Sequence, residues 1–262
     1  MAIFLKSIYN TLRQFGFDPI KLFNSIRGIP FYISDLIKLK KQKGHDKSFS
    51  FRRKYPILND RFSKSGIMTG HYFHQDLFVA KKIFSAKPER HIDIGSRTEG
   101  FVAHVAVFRE IELIDIRDQN SKISNILFTK ADLMKLPDNM LGYCDSISAL
   151  HSIEHFGLGR YGDPIDYYGH LKAIENIYSM LQAGGVFYFA VPIGRQRIEF
   201  NAHRVFSVNY LLDLLDPMFK IDSFSYVDDK GDFFENVELT KNEIESNYQC
   251  HYGCGIFELK KK

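Results

Sequence analysis

From residue 70 onward the sequence alternates short apolar runs with stretches of helical periodicity. The runs typical of strands cover residues 91–94, 111–115, 125–129, 145–150, 186–191, 220–226 and 255–259. Apolar residues at helical spacing predict helices over residues 71–84, 101–108, 167–181 and 208–215. Alternation of this kind predicts a mostly parallel sheet with helices on both faces.

The first 54 residues differ in charge from the rest of the chain. They carry twelve Lys and Arg against three Asp and Glu, a net charge of +9, whereas the remaining residues have a net charge of −5. Residues 1–43 show helical spacing, and residues 41–56 are polar without a period. We therefore predict a basic helical N-terminal arm with a linker, residues 1–56, and an α/β domain, residues 57–262.

Two interpretations of the arm stay open. It could contact an anionic membrane surface, or a phosphate-bearing or glycan-assembly protein, through residues 1–54. Alternatively, it is an amphipathic helix that packs on the body and exposes its basic face to solvent. In either case the absence of an aromatic and basic strip argues against a nucleic-acid partner.

Composition excludes several classes of protein. The chain is 45% hydrophobic and 25% charged, and no apolar run reaches the roughly 18 residues of a membrane span. Lys6 and Arg13 interrupt the apolar N-terminus, which has no small-residue cleavage site of a signal peptide. Three cysteines favour a reducing compartment, so we expect a cytoplasmic protein, peripheral at the inner membrane face if the arm binds lipid. Cys250 and Cys254 have no second Cys/His pair at zinc-site spacing, so the sequence does not predict a structural zinc site there.

Glycines and carboxylates follow the predicted strands in an ordered series. Gly95 follows the first strand, and a glycine there lets backbone approach a ligand closely above a helix N-terminus. Asp115 ends the second strand, where a carboxylate can accept hydrogen bonds from both ribose hydroxyls of a nucleoside. Asp132 follows the third strand, within reach of an adenine amino group, and Gly184 and Gly185 precede the fifth strand.

The series HIDIGS, LIDI, ADL, LHSIEH and MLQAGGVFYFAVP resembles the class I S-adenosylmethionine-dependent methyltransferases over roughly residues 70–262. That resemblance implies a Rossmann-like, seven-stranded, mostly parallel sheet whose last strand, 255–259, is reversed. It implies S-adenosylmethionine as cofactor, held by Asp93, Gly95, Ser96, Arg97, Gly100, Asp115, Ile116, Asp132, Leu133, Leu150 and Tyr72. Arg97 and Glu99 stand where that superfamily usually has glycines, and Gly100 could compensate one residue later.

Longer strings, GHYFHQDLFVAKKIF, HIDIGSRTEGFVAHVA, SALHSIEHFGLGRYGDPID and NAHRVF, resemble one methyltransferase-like family of unknown activity. That family was catalogued from nematodes and is common in bacterial polysaccharide loci. The resemblance covers nearly the whole chain, and it implies a context of cell-surface glycan assembly.

The run 151–155, HSIEH, follows the fourth strand, whose carboxyl end faces the reacting group in this fold. Helical spacing would place His151, Glu154 and His155 on one face, as an acid–base set or a metal triad. The run resembles the Glu-x-x-Glu-His motif of small-RNA ribose methyltransferases and polyprenyl-catechol O-methyltransferases, with His151 in place of the first Glu, and this implies a divalent metal such as Mg²⁺ or Mn²⁺. His203, beyond the fifth strand, could be a fourth ligand. In many metal-free relatives the histidine of this position packs or acts as a base.

We therefore expect O-methylation of a sugar or surface-glycan intermediate, free or lipid-linked. His151, Glu154, His155 and His203 would perform the chemistry, with a histidine removing the hydroxyl proton. The loop 157–164 is either a lid or a plain connection. Acceptor-binding side chains are expected at Arg160, Tyr161, Asp163 and Arg204. The alternatives are an RNA ribose methyltransferase and a non-catalytic scaffold of a glycan-assembly complex.

Overall fold

The computed structural model describes residues 2–136 and 138–262, with side chains described for residues 8–136 and 139–262. The chain forms two compact units, Met1–Ile67 and Met68–Lys262. The expected arm and linker, residues 1–56, lie within the first unit. Among the described residues, none of the helices combines the length and the hydropathy that a bilayer crossing requires.

The first unit is built on two helices, α1 (Ala2–Gln14) and α2 (Pro19–Lys43). Asp18 caps α2, because its carboxylate accepts hydrogen bonds from the backbone N–H groups of Ile20 and Lys21. Residues 57–62 fold back on α2: a Cβ at Gly28 would collide with the carbonyl oxygen of Leu58. Many apolar side chains of α2 remain exposed nonetheless.

The second unit is a sheet of eight strands in the order β3-β2-β1-β4-β5-β10-β8-β9. Its strands are β1 (His91–Ile94), β2 (Ile111–Asp115), β3 (Ile126–Lys130), β4 (Cys144–Leu150), β5 (Leu181–Ile193), β8 (Phe219–Val227), β9 (Phe233–Phe234) and β10 (Gly253–Lys261). The first five are mutually parallel, and β10 runs antiparallel between β5 and β8. The Rossmann-like fold and its reversed last strand are confirmed, and the eighth strand, β9, is a two-residue addition at the edge.

Helices cover both faces of this sheet, as the sequence predicts. They are α3 (His71–Ala86), α4 (Ala103–Ala106), α5 (Gly169–Met180), α6 (Val208–Leu215) and α7 (Lys241–Ser246). One core packs α5 and α6 against the sheet, and a second packs α3 and α4 against the other face. Because both faces are covered, β1 and β4 are almost entirely buried.

Two elements differ from their expected form. The helix expected over residues 101–108 begins instead as a π-helical turn, Thr98–Val102, and continues as the single turn α4. Beyond β5 the chain forms a separate two-stranded ribbon, β6 (Arg197–Glu199) and β7 (His203–Val205). The ribbon brings residues 199–204 back toward the segment that follows β4, since Arg204 donates hydrogen bonds to the carbonyls of Glu154 and Phe156.

A buried polar network joins β1 to β4. Asp93 is fully buried, and its carboxylate accepts hydrogen bonds from the backbone N–H of Ser96 (2.9 Å), from the Ser96 hydroxyl (2.6 Å) and from the Ser148 hydroxyl (2.6 Å). Burial raises the pKa of Asp93 to about 6, which these hydrogen bonds oppose. Ser148 is also 3.1 Å from Nε2 of the buried His91. The network therefore fixes the turn after β1 against the end of β4.

We predict that Ser148→Ala destabilises the domain by about 1–3 kcal/mol, because it removes one of the three donors to a buried carboxylate. Urea unfolding followed by circular dichroism measures this change. The control is Ser121→Ala in an exposed loop, which should stay within about 0.5 kcal/mol of the wild type. Equal stability of the two variants would show that Asp93 does not depend on Ser148.

Candidate active site

Two adjoining clefts open at the carboxyl ends of β1, β2 and β4. The apolar cleft, of about 550 Å³, is lined on its apolar side by Ile94, Ile114, Ile116, Ala131, Leu133, Met134 and Phe156. The polar cleft, of about 940 Å³, contains Tyr72, Ser96, Arg97, Asp118, Gln119 and Arg160. The two clefts share Gly95, Asp115, Arg117, His151, His155 and Tyr161. Both volumes include space that is open to solvent.

Gly95 forms the wall common to the two clefts. Its φ of 65° lies in the left-handed region, which favours glycine. A Cβ there would lie 3.4 Å from the Cβ of Ser152 and 3.9 Å from Oδ2 of Asp115. The turn after β1 thus presents bare backbone to the clefts, as the sequence predicts for a ligand-binding glycine turn.

Three of the residues expected to contact the cofactor do not line either cleft. Asp93 lies behind the turn, where Ser96 and Ser148 hold both of its oxygens, so it shapes the loop instead of lining the clefts. Gly100 faces helix α3, since a Cβ there would lie 2.5 Å from Oδ2 of Asp76. Gly100 therefore serves packing and does not compensate for the missing glycines. Leu150 is buried, and its backbone N–H donates to the Ser96 hydroxyl.

The two replacements in the glycine turn point into the polar cleft. Arg97 pairs with Glu99 at 3.0 Å, and its guanidinium lies 4.8 Å from the centroid of the Tyr72 ring. All three side chains line the polar cleft. The positions where relatives have glycines thus add a charged and aromatic rim.

The two strand-end carboxylates, Asp115 and Asp132, line the apolar cleft. Asp132 uses Oδ1 to accept the backbone N–H of Met134 at 2.9 Å. Asp115 is held by Arg117, which donates from its backbone N–H and Nε to Oδ1 and from Nη2 to Oδ2 at 2.6 Å. The Arg117 guanidinium lies 4.3 Å from the centroid of the Tyr161 ring. A ligand that binds the Asp115 carboxylate must therefore displace the Arg117 guanidinium, or bind beside it on the same carboxylate.

The run 151–155 assembles as predicted but not as an α-helix. His151 has a φ of 54°, and a 3-10 turn, Ile153–His155, follows it. This geometry places His151 Nδ1 2.8 Å from Glu154 Oε1, and His155 Nε2 lies 3.7 Å from the same oxygen. Burial opposes ionisation of Glu154, yet the two histidines outweigh it and lower the pKa of Glu154. Burial likewise opposes the charged form of His151, but Cys254 and Glu154 raise its pKa well above the usual value.

His155 has the geometry of a general base. Its Nδ1 is 2.7 Å from the carbonyl oxygen of Ala202, which fixes the proton on Nδ1 and leaves Nε2 as an acceptor. Burial lowers the pKa of His155, as does the Arg160 guanidinium, whose Nη1 lies 3.4 Å from Nδ1. His155 is therefore neutral at neutral pH and able to accept a proton in the clefts.

The predicted four-ligand metal set does not converge on one point. His203 Nε2 is 3.3 Å from Oε2 of Glu199, and its ring centroid is 6.5 Å from that of His155. His151 Nδ1 and Glu154 Oε1 bind each other, and the remaining nitrogen of His151 belongs to another group of donors. Among the described residues, the group whose donor atoms lie within 4.8 Å of one another is His71, His151 and Cys254.

The loop 157–164 is held by its own hydrogen bonds. Asp163 accepts backbone N–H groups of Gly157, Gly159 and Tyr161, so its carboxylate organises the loop. Tyr161 lies over both clefts, with the Arg160 guanidinium 5.1 Å from its ring centroid. The loop therefore holds Tyr161 and Arg160 above His155 as a preformed cover.

Arg204, expected to bind the acceptor, instead holds neighbouring backbone segments together. It is buried and donates to the carbonyls of Phe156 and Tyr167, and it lines a separate cavity beside Tyr210.

Sequence reasoning missed Arg117 and His71. Arg117 follows Asp115 by two residues, and nothing in the sequence separates it from other exposed arginines. His71 begins α3, and its ring stacks on that of His151 with centroids 5.1 Å apart and planes within 3°. The string GHYFHQ contains both His71 and the predicted Tyr72, but only the fold shows which side chain meets β4.

We predict that Arg160→Gln raises the pKa of His155. The substitution removes a positive charge from beside Nδ1 and leaves the Ala202 carbonyl, which Arg160 Nη1 contacts at 2.9 Å, to His155 alone. Titration of the His155 ring by NMR measures the shift. Arg195→Gln, which removes an exposed charge from the turn after β5, is the matched control and should leave the titration unchanged. An unchanged pKa in Arg160→Gln would contradict the assigned contact.

Comparison with solved structures finds similar folds at low identity. The N-methyltransferase NodS from Bradyrhizobium japonicum WM9, in complex with S-adenosyl-L-homocysteine, is 12% identical, with a TM-score of 0.49 over 86% of this chain and 97% of that one. The [4+2]-cyclase SpnF is 17% identical, with a TM-score of 0.46 over 66% of this chain and 75% of that one. The Burkholderia thailandensis 1,6-didemethyltoxoflavin-N1-methyltransferase is 13% identical, with a TM-score of 0.48 over 71% and 78%. The fold assignment rests on the strand order of this chain itself.

Comparison of sequences is more specific. No curated protein matches the chain significantly. The sequence profile of one family matches residues 89–261, which include β1 to β5, the run 151–155 and β10. The chain therefore belongs to the family described as Caenorhabditis protein of unknown function, DUF268.

Proposed function

We propose that this protein is an S-adenosylmethionine-dependent O-methyltransferase that acts on a sugar or surface-glycan intermediate. The observation that carries the proposal is His155, a neutral histidine with Nε2 free, in a wall shared by two clefts. One cleft has the apolar lining and strand-end carboxylates that suit a nucleoside. The other has the polar and aromatic lining that suits a hydroxyl-rich acceptor.

The apolar cleft fits the proposed cofactor. Ile116 and Leu133 supply apolar surface for an adenine ring, and the free Oδ2 of Asp132 is an acceptor for its amino group. Asp115 would bind the ribose hydroxyls in exchange for Arg117. Gly95 has no side chain, so the cleft beside Ser152 and Asp115 is wider there than it would be with a Cβ. The donor set is thus one that a nucleoside requires.

The polar cleft supports the acceptor class. It combines three arginines, Arg97, Arg117 and Arg160, with two tyrosines, Tyr72 and Tyr161. Aromatic faces pack on the apolar faces of sugar rings, and guanidinium groups bind hydroxyl or phosphate oxygens. A nucleotide sugar or a lipid-linked sugar would satisfy both. The glycan context itself comes from the resemblance to proteins of bacterial polysaccharide loci.

The chemistry requires removal of one proton. When bound, S-adenosylmethionine supplies a methyl group on a sulfonium, from which a neutral thioether departs. His155 Nε2 accepts the hydroxyl proton of the acceptor as the C–O bond forms. The Ala202 carbonyl holds the ring, and the Glu154 carboxylate, 3.7 Å from Nε2, stabilises the imidazolium that results. Tyr161 and its loop exclude water from above.

A hard divalent metal at the predicted set does not fit these residues. Mg²⁺ and Mn²⁺ prefer oxygen ligands, whereas this set supplies three imidazoles and one carboxylate. One carboxylate oxygen is already bonded to His151, and the His203 ring centroid lies 6.5 Å from that of His155. We therefore derive no step through such an ion and assign proton removal to His155.

We predict that His155→Gln lowers turnover by about 100- to 10,000-fold and changes the affinity for S-adenosylmethionine less than about 3-fold. Glutamine can keep the contact to Ala202 but cannot accept the proton. Transfer of radiolabelled methyl from S-adenosylmethionine to a panel of nucleotide hexoses measures turnover, and calorimetry measures affinity. His104→Gln, on the exposed side of α4, is the matched control and should behave as the wild type.

The wild-type pH profile tests the same assignment. Because the pKa of His155 is lowered, kcat should stay level from pH 8 down past the usual histidine value of about 6.5 and fall only below it. Full turnover by His155→Gln would remove His155 from the mechanism. Binding of the cofactor without methylation of any acceptor would favour the scaffold alternative, and a product on RNA would favour the ribose methyltransferase.

We further propose that the first unit holds the protein at an anionic lipid surface, which would place it at the cytoplasmic face of the membrane. Helix α2 exposes at least half of the surface of each of Ile20, Phe23, Ile26, Ile33 and Ile37. Basic residues lie among them, and the net charge of residues 1–54 is +9. Exposed apolar side chains beside a concentration of positive charge suit insertion at a surface of acidic phospholipids.

We predict that the full chain floats with vesicles that contain one quarter phosphatidylglycerol and does not float with pure phosphatidylcholine. A triple variant, Lys38→Gln, Lys40→Gln and Lys41→Gln, should lose binding, since each basic residue contributes about 1 kcal/mol at such a surface. Removing the same number of exposed charges from the second unit, at Lys220, Lys230 and Lys241, is the matched control. Equal loss in both triple variants would refute a role specific to α2.

A further inference from the structure

Two imidazoles and a thiol meet beside the candidate active site. His71 begins α3, His151 follows β4, and Cys254 lies in β10. One donor atom from each lies within 4.8 Å of the others. We call these three residues the His–His–Cys cluster. Each belongs to a different element, so the cluster exists only in the folded domain.

The cluster contains a polar atom that the protein leaves without a partner. Nε2 of His151 is buried and has no hydrogen-bond partner at normal distance. Cys254 is the group that faces it, because the other nitrogen of His151 is bonded to Glu154. The His151 side chain is 2% exposed, and Cys254 is fully buried. An unsatisfied buried nitrogen is costly, so its presence indicates a ligand at this position.

The outer partners of the two histidines are those of metal-bound imidazoles. His151 Nδ1 is 2.8 Å from the Glu154 carboxylate, an arrangement that directs the lone pair of Nε2 away from Glu154 and makes it more basic. Burial lowers the pKa of His71 to about 4, and the backbone of Tyr252 beside the His71 ring opposes that shift. Carboxylates and backbone carbonyls are the usual partners of the second nitrogen when the first binds a metal.

We propose that the His–His–Cys cluster binds one zinc ion through Nε2 of His151, the free ring nitrogen of His71 and the thiolate of Cys254. Two imidazoles and a thiolate form a soft to borderline donor set that suits zinc and not Mg²⁺ or Mn²⁺. Zn–N distances of about 2.0–2.1 Å and a Zn–S distance of about 2.3 Å place tetrahedral ligands about 3.4–3.6 Å apart. Donors within 4.8 Å therefore need to move inward by only about 1 Å.

The fourth position of the ion is open to a further ligand. Gln75 is buried, and its Oε1 accepts a hydrogen bond from the Cys254 thiol at 3.6 Å. Loss of the thiol proton to the solvent on metal binding would release Gln75. A water molecule or Gln75 itself would then complete the tetrahedron.

This inference goes beyond the proposed methyl transfer and does not depend on it. An ion at the cluster would tie α3 and β10 to the segment after β4. It would also fix the His151–Glu154 pair and hence the carboxylate beside His155. The sequence alone argues against zinc, because Cys250 and Cys254 have no second pair nearby in the chain. In the fold Cys254 acquires two histidines from distant segments.

Cobalt provides a spectroscopic test on the full chain. After treatment with a chelator, the wild type is titrated with Co²⁺, which gives an ultraviolet thiolate-to-metal band and visible bands of a tetrahedral site. We expect saturation at one equivalent and displacement by one equivalent of Zn²⁺. Cys254→Ser should abolish the thiolate band, and His71→Gln should weaken binding by more than about 100-fold, beyond the 10- to 100-fold typical of an outer partner.

Two neighbouring residues provide matched controls. Cys250→Ser removes a buried thiol four residues from Cys254, and His74→Gln removes an imidazole one turn along α3. Both should keep the cobalt spectrum and the affinity. Circular dichroism confirms that each variant is folded, and His71→Gln, at a half-buried position, is the least disruptive. No saturable cobalt binding by the wild type, or a thiolate band that persists in Cys254→Ser, would overturn the proposal.

Discussion

The carboxylate of Asp93 is the interaction on which the candidate site depends. It is fully buried at the end of β1, and its three hydrogen bonds come from the turn that follows and from the neighbouring strand β4. The turn contains Gly95, and β4 leads directly into His151. Because one carboxylate fixes both, the distance between the bare backbone of the turn and the histidines that follow β4 is set by the fold. A buried carboxylate is costly in free energy unless its lone pairs are satisfied, so loss of a hydroxyl from this network should destabilise the domain.

The site divides charge between two histidines that are four residues apart. His151 is driven toward its charged form by Glu154 and Cys254, and it pairs with the Glu154 carboxylate in the interior. His155 is driven toward its neutral form by burial and by Arg160, and it faces the clefts. The same carboxylate is close to both, at 2.8 Å and 3.7 Å. A neutral base beside a buried negative charge is suited to accept a proton, because the imidazolium that forms is already paired. A zinc ion on His151 would take over the role of its proton and leave His155 unchanged.

The order of elements and the strand-end residues could be predicted from sequence, because the alternation of apolar runs and helices determines a parallel sheet whose carboxyl edge collects them. Asp115, Asp132 and His155 line the clefts for that reason. Contacts made across the fold could not be predicted. Gly100 looks like a cofactor glycine but makes room for Asp76 of α3, and Arg117 covers Asp115 through a two-residue turn. Cys254 looks isolated in the sequence, and only the reversed strand β10 brings it to His71 and His151.

We propose that the carboxyl edge of this sheet binds S-adenosylmethionine at Asp115. Calorimetric titration of S-adenosylmethionine into the full chain, compared with Asp115→Asn and with Asp118→Asn as the matched control, tests it most directly. Asp118 pairs with Lys130 at the exposed edge of the polar cleft. We expect saturable binding at one equivalent. Asp115→Asn should weaken it at least about 10-fold, as loss of a hydrogen bond to a charged group implies, and Asp118→Asn should leave it nearly unchanged. Absence of binding by the wild type, or equal affinity of the wild type and Asp115→Asn, would contradict it.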